Sequence, residues 1–219
     1  MPIPQIQALM PAALHPNKIK KIITLATQGD FSIDNNLLSV WTRSINPNTI
    51  VDTFGNVPSA FIDGASFLLR SPIDYLDKYP HFFFFERTEP FDLESIREFF
   101  AIETWLYYNP PIIDEIYRQF VRDCHQKNSF IKNQMTIYED IRPELPVDLR
   151  KIKVPFLNVI ASKDDIVAPP SSKALNDAIG RSDKPILEFN SDHVGTYIGS
   201  RAHKELWPNV GSWLKKRSS

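Results

Sequence analysis

Two polar clusters late in the sequence hold side chains whose types and spacing could do chemistry. Ser162-Lys163-Asp164-Asp165-Ile166-Val167 carries the carboxylate of Asp164, and Asn190-Ser191-Asp192-His193-Val194-Gly195 carries the imidazole of His193. A carboxylate that accepts from one ring nitrogen fixes the imidazole's tautomer and stabilises its charged form. The other nitrogen then acts as a general base. The same residues also fit plainer roles, with Asp164 capping its loop and His193 on a surface loop. A third reactive group is the one cysteine, Cys124, in Arg122-Asp123-Cys124-His125-Gln126. Spacings of three and four align it with Ile113, Ile116 and Phe120 on an apolar face, where free cysteine packs as a small hydrophobe. A catalytic thiol needs thiolate character from a positive neighbour or a helix N-terminus. His125 is adjacent in sequence but lies about 100° away around a helix. Cys124 is therefore expected in the core.

The elements that must position Asp164 and His193 follow from the pattern around them. Phe156-Leu157-Asn158-Val159-Ile160-Ala161 is a nearly continuous apolar run and reads as a buried strand. Pro169-Pro170-Ser171-Ser172 opens a helix that runs to Ile179 and stops at Gly180. A second strand, Ile186 to Phe189, completes a βαβ unit, so the two strands should be parallel and covered on both faces. A closing helix, Ala202 to Lys216, offers Leu206, Val210, Trp213 and Leu214 to the core, and Trp207 and Trp213 read as packing residues. Near the start, Gln5 to Leu14 reads as a helix and Ile22 to Thr27 as a further buried strand. Between them and the late strands, helical patterns separated by prolines (Leu93 to Tyr107 and Ile112 to Phe130 among them) read as an insertion. The expected organisation is a core of residues 1–28 and 150–219 with a largely helical cap at 29–149.

Composition narrows the class. At roughly 100–200 residues per domain, 219 residues make one domain, or one with a sizeable insertion. With 25 Lys plus Arg against 26 Asp plus Glu, no basic excess exists to neutralise phosphates, which argues against a nucleic-acid partner. No run of about 18 apolar residues is present to span a bilayer. Met1-Pro2-Ile3-Pro4 lacks the charged start of a secretory signal. One cysteine cannot form an internal disulfide, which fits a reducing cytoplasm. With seven glycines there is no G-x-G-x-x-G, no P-loop and no G-x-S-x-G.

In α/β hydrolases the chain runs nucleophile, acid, histidine, with the last two after the final strands. Asp164 and His193 match that order, the spacing of one βαβ crossover and the local pattern Asp-x-x-Val. Longer strings carry a more specific resemblance. Asp30-Phe31, Asn36-Leu37-Leu38-Ser39-Val40-Trp41, Val51-Asp52-Thr53-Phe54-Gly55-Asn56-Val57-Pro58, Arg118-Gln119-Phe120, Gln126-Lys127-Asn128, Ser172-Lys173-Ala174-Leu175 and His193-Val194-Gly195-Thr196-Tyr197 resemble the catalytic subunit of class III polyhydroxyalkanoate synthases. The likeness runs from about residue 8 to 215, nearly the whole chain.

The resemblance implies an α/β class, as a partial α/β-hydrolase fold with a helical cap. It also implies an acyltransferase that polymerises 3-hydroxyacyl units from coenzyme A thioesters into a polyester. Asp164 falls on the acid and His193 on the base of the family's Cys-His-Asp triad. No further cofactor and no metal is implied. The implied partners are a second, dissimilar synthase subunit and the polyester, with a homo-oligomer and the surface of a cytoplasmic polyester granule also in view. The family's nucleophile sits in a Gly-x-Cys-x-Gly-Gly elbow directly before the helix that here is Gln7 to Leu14. Residues 1–6, Met-Pro-Ile-Pro-Gln-Ile, hold neither cysteine nor glycine. The chain is thus expected to be the C-terminal part of a synthase, with the orienting pair but without the acylated atom, and inactive alone. The alternative is a non-catalytic truncated or remnant chain that binds a synthase partner or granule surface. An unrelated ester hydrolase would not explain the long strings.

Local departures from the family are Asp165, where a histidine is frequent, Ala168 for proline, and Ser191-Asp192 for Gly-Gly. His81-Phe82-Phe83-Phe84-Phe85 reads either as cap core or as an exposed patch for polymer, granule or partner.

Overall fold

The computed structural model describes residues 3–33, 37–62, 64, 96–97, 100–101, 104, 110–139, 142–197 and 201–218. In chain order the elements are α1 (Ile3–Leu14), β1 (Ile22–Leu25), α2 (Leu37–Ser44), α3 (Pro47–Phe54), α4 (Asp114–Gln119), a π-helical turn (Phe120–Gln126), β2 (Met135–Glu139), β3 (Arg142–Val147), β4 (Phe156–Ala161), α5 (Pro169–Ala178), β5 (Ile186–Phe189), a 3-10 turn (Val194–Thr196), a second π-helical turn (Ala202–Leu206) and α6 (Trp207–Lys215). Two compact units result, residues 1–43 with 120–219, and residues 44–119. The expected helix at Leu93 to Tyr107 and the His81 to Phe85 run lie largely or wholly outside the described residues.

The first unit is built on a parallel sheet of order β1-β4-β5. Every residue of β4 is buried, the pattern of a strand covered on both faces. On one face Leu157 and Val159 pack with Phe189, Ala202, Leu206, Val210 and Trp213, while Ile23, Leu25, Leu187, Trp207 and Leu214 lie against this cluster half-buried. The closing helix therefore uses the face its apolar spacing predicts. On the other face Asn158, fully buried, accepts from Thr24 Oγ1 and Ser172 Oγ and donates to Ser172 O and Asn176 Oδ1. All four of its hydrogen-bonding positions are used, so a buried amide is tolerated and pins α5 to the sheet.

Several expected boundaries shift for local reasons. β1 ends at Leu25 rather than Thr27 because Ala26, still bonded through its N–H to Val159 O at 2.8 Å, turns to φ 45°. α5 does not end in a left-handed glycine. A Cβ on Gly180 would collide with the carbonyl of Arg150, so close backbone approach selects glycine there. Lys184 Nζ instead donates to the carbonyls of Asn176 and Ile179 at the end of α5.

The expected helix from Ile112 to Phe130 is shorter. Ile112 exchanges both backbone hydrogen bonds with Val57, so α4 begins at Asp114. After Gln119 the ladder widens, with Lys127 N–H donating to Arg122 O, and Asn128 at φ 53° ends it. The stretch 29–149 also holds an antiparallel hairpin, β2–β3, which the helical reading had not included. In the second unit α3 is capped by Asn46, whose side chain accepts from the N–H of Asn48.

Candidate functional site

The site is assembled at the carboxyl ends of β4 and β5. Their parallel register pairs Ala161 with Phe189, so both exits emerge at one end of the sheet. Backbone hydrogen bonds continue past the strands, from Ser162 N–H to Phe189 O and from Lys163 N–H to Ser191 O. These hold the two clusters side by side. Asp164 then turns inward, and its side chain is only 1% exposed. Its Oδ1 accepts from the N–H groups of Ile166 and Val167 at 2.9 and 2.8 Å, which anchors the carboxylate before it meets any partner. Its Oδ2 lies 2.7 Å from His193 Nδ1.

That distance is in the range of a charge-assisted hydrogen bond. A carboxylate only accepts, so Nδ1 carries the proton and Nε2 is the nitrogen able to take one. The His193 side chain is 14% exposed, enough for a proton to reach it. Asp164 thus both caps its loop and lies within hydrogen-bond distance of His193. Asp165 is exposed.

The turn carrying His193 is braced from within. Asp192 Oδ1 accepts from Gly195 N–H at 2.6 Å, and Thr196, fully buried, donates from Oγ1 to Asp192 O. Asp192, noted above as a departure, thus accepts a backbone N–H of the 3-10 turn from the position before its N-cap, His193. Tyr197 N–H closes it on Val194 O, and Tyr197 reaches from there to the end of β1. No role had been assigned to either side chain. The signals were local ones, an aspartate three residues before a glycine and a tyrosine one turn after the histidine.

Cys124 is fully buried, as expected, and burial first, then the neighbouring Asp123 charge, pushes its thiol far above the ordinary range. Its Sγ is not hydrogen-bonded to His193. The buried stripe here runs through Tyr117, Phe120, Val121 and Cys124, whereas Ile113 is exposed, which corrects the expected face. His125 is buried too. Thr42 Oγ1 donates to Ser39 O and so accepts from His125 Nδ1 at 3.0 Å. The rings of Phe31 and Phe120 stand edge-on to it, with centroids at 4.8 and 5.0 Å. Burial first, then Arg43, lowers the His125 pKa from 6.5 to about 4, leaving it neutral.

Among the described residues no group of three or more His, Cys, Asp or Glu is arranged to hold a metal, and no helix is long and apolar enough to cross a membrane.

No family model matches the chain. Among solved structures, a monoacylglycerol lipase from Paleococcus ferrophilus is similar at 14% identity and TM-score 0.49, over 97% of this chain and 65% of that one. The enol-lactonase from Burkholderia xenovorans LB400 is similar at 16% identity and TM-score 0.45, over 96% and 62%. Such likenesses add nothing to the sheet order already described. Sequence relatives are nearer. The poly(3-hydroxyalkanoate) polymerase subunit PhaC of Thiocystis violacea is 33% identical over 222 residues, 96% of this chain and 57% of the relative. The subunit of the same name from Allochromatium vinosum is 32% identical over 96% of this chain and 57% of the relative. That from Haloferax mediterranei is 30% identical over 96% and 42%. The chain thus spans little more than half the length of the first two relatives. Along nearly all of its own length, this sequence is similar to part of the PhaC subunits of poly(3-hydroxyalkanoate) polymerases.

Proposed function

We propose that Asp164 and His193 are the acid and base of a polyester-forming acyl transfer, with 3-hydroxyacyl coenzyme A thioesters as acyl donors. The observation that carries this reading is the 2.7 Å contact between Asp164 Oδ2 and His193 Nδ1, made by a carboxylate already anchored through its other oxygen. In the reaction a thiolate accepts the acyl group and coenzyme A leaves. His193 Nε2 takes the proton of that thiol and gives it to the departing coenzyme A thiolate, then takes the proton of the 3-hydroxyl that attacks the acyl thioester and returns it to the thiolate this second transfer releases. Asp164 holds the tautomer and stabilises the imidazolium formed at each step.

Cys124 is unsuited to be that thiol, because burial beside Asp123 opposes its ionisation. The acylated cysteine therefore comes from outside these 219 residues, whether from another stretch of a longer chain or from a partner. By themselves these residues supply the orienting pair and no polymer. A second synthase subunit, the growing polyester and a granule surface are the partners this reading calls for.

Purified chain incubated with 3-hydroxybutyryl coenzyme A is expected to release no coenzyme A above background and to form no polymer. Polymer from the unaided chain would overturn the assignment of an external thiol. A chimera carrying these residues in place of the matching part of the Allochromatium vinosum subunit is expected to polymerise. His193→Gln in that chimera should lower the rate by a factor on the order of 10³ or more. A chimera that polymerises equally well with glutamine at that position removes His193 from the mechanism.

A further inference from the structure

Beyond the acid–base pair itself, the geometry points to a second side chain that decides whether His193 stays in place. We propose that Tyr197 is a positioning residue that holds His193 on Asp164 by tying the histidine's turn to the end of β1. This rests on the acyl-transfer reading for its functional meaning, though not for its test.

The observations are independent of one another. The Tyr197 hydroxyl donates to Leu25 O at 2.6 Å, across 172 residues of sequence. Leu25 is the last residue of β1, and its carbonyl also accepts from Thr27 Oγ1 at 3.2 Å. The backbone turns away immediately afterwards at Ala26. The Tyr197 ring lies 5.6 Å from the His193 ring, centroid to centroid, tilted by 53°. One aromatic side chain thus lies tilted beside the imidazole and grips the sheet with its hydroxyl. Burial first, then the charge of Asp164, keeps the phenol protonated well above its ordinary range, so it remains a donor.

The other braces of this turn cannot replace that tie. Asp192 and Thr196 bond within the turn, and Lys163 N–H bonds to Ser191, ahead of the histidine. They shape the turn and fix its entrance. Among the described residues, it is the tyrosine, one turn beyond His193, that ties the exit of the turn to β1. Entrance and exit of the turn are thus both held, with the imidazole against Asp164.

The test reads His193 directly in the full chain by NMR, through the exchange of its Nδ1 proton with solvent. In Tyr197→Phe, which keeps the ring and removes the hydroxyl, that proton is expected to exchange roughly tenfold faster, the factor that losing one ordinary hydrogen bond corresponds to. Ser171→Ala is the control, because it removes a comparable tie, from Ser171 Oγ to Asp30 O at 2.7 Å, that does not involve the histidine turn. It should lower thermal stability and leave the His193 proton unchanged. A second measurement needs no variant: in the unaltered chain the Tyr197 phenolic proton and the His193 Nδ1 proton should show one common protection factor, since one opening releases both. An unchanged His193 proton in Tyr197→Phe, an equal effect from Ser171→Ala, or two unrelated protection factors would each overturn the proposal. An inactive chimera with normal His193 exchange would sink the acyl-transfer reading and leave the positioning role standing.

Discussion

Among the described residues, His193 and His125 both sit beside chemically capable neighbours, and their surroundings make them opposites. His193 donates to a buried, doubly anchored carboxylate and keeps part of its ring open to solvent. His125 adjoins a cysteine in sequence, donates to a neutral hydroxyl and is walled in by Phe31 and Phe120. The first environment places a buried carboxylate against one ring nitrogen. The second penalises the charged form of both His125 and Cys124. A reactive residue type is thus a poor guide until the partner and the dielectric around it are known. The more suggestive sequence pair, Cys124-His125, is the inert one.

The sharpest way to break this contrast is to open the aromatic wall. Phe31→Ala removes a fully buried ring that packs against His125 and Phe120. It is expected to cost about 3–5 kcal/mol in denaturant unfolding. It should also let the His125 pKa rise from about 4 back toward 6.5. A small loss with an unmoved titration would mean that burial is not what keeps His125 neutral.

The next effect is a pH dependence. His125 has a folded pKa of about 4, below its ordinary 6.5. Between those values the unfolded chain binds the proton more readily. The stability from this group is therefore complete above pH 6.5 and is lost as pH falls through 4. The gap from 6.5 to about 4 amounts to on the order of 3 kcal/mol. Unfolding curves at pH 7 and pH 4 should show that loss in the wild-type chain in excess of the loss in His125→Gln. Equal pH dependence in the two chains would contradict a neutral, buried imidazole.

The smallest effect contrasts the two adjacent carboxylates after β4. Asp164→Ala strands the N–H groups of Ile166 and Val167 as well as His193, and should cost about 2 kcal/mol by thermal or denaturant unfolding. Asp165→His, at the exposed neighbour, should stay within about 0.5 kcal/mol of wild type. Comparable losses at both positions would mean that the anchoring of Asp164 is not special.

Local pattern and tertiary pairing contributed different parts of this picture. The sequence by itself determined the late elements. β4, α5, β5 and the closing helix lie within a few residues of where apolar runs, Pro169 and helical spacing put them, because those signals come from near neighbours along the chain. It also determined that Asp164 and His193 follow successive strands and that Cys124 is core. Tertiary structure decided what depends on distant partners. The shortening of α4 comes from Val57 pairing with Ile112, the end of β1 from the turn at Ala26, and the β2–β3 hairpin from pairing between two stretches with no strong alternation. The meeting of Asp164 with His193 belongs there too. Twenty-nine residues separate them, and only the parallel register of Ala161 beside Phe189 delivers both to one end of the sheet. Register is a property of the paired strands and not of either alone, so no reading of one segment could contain it.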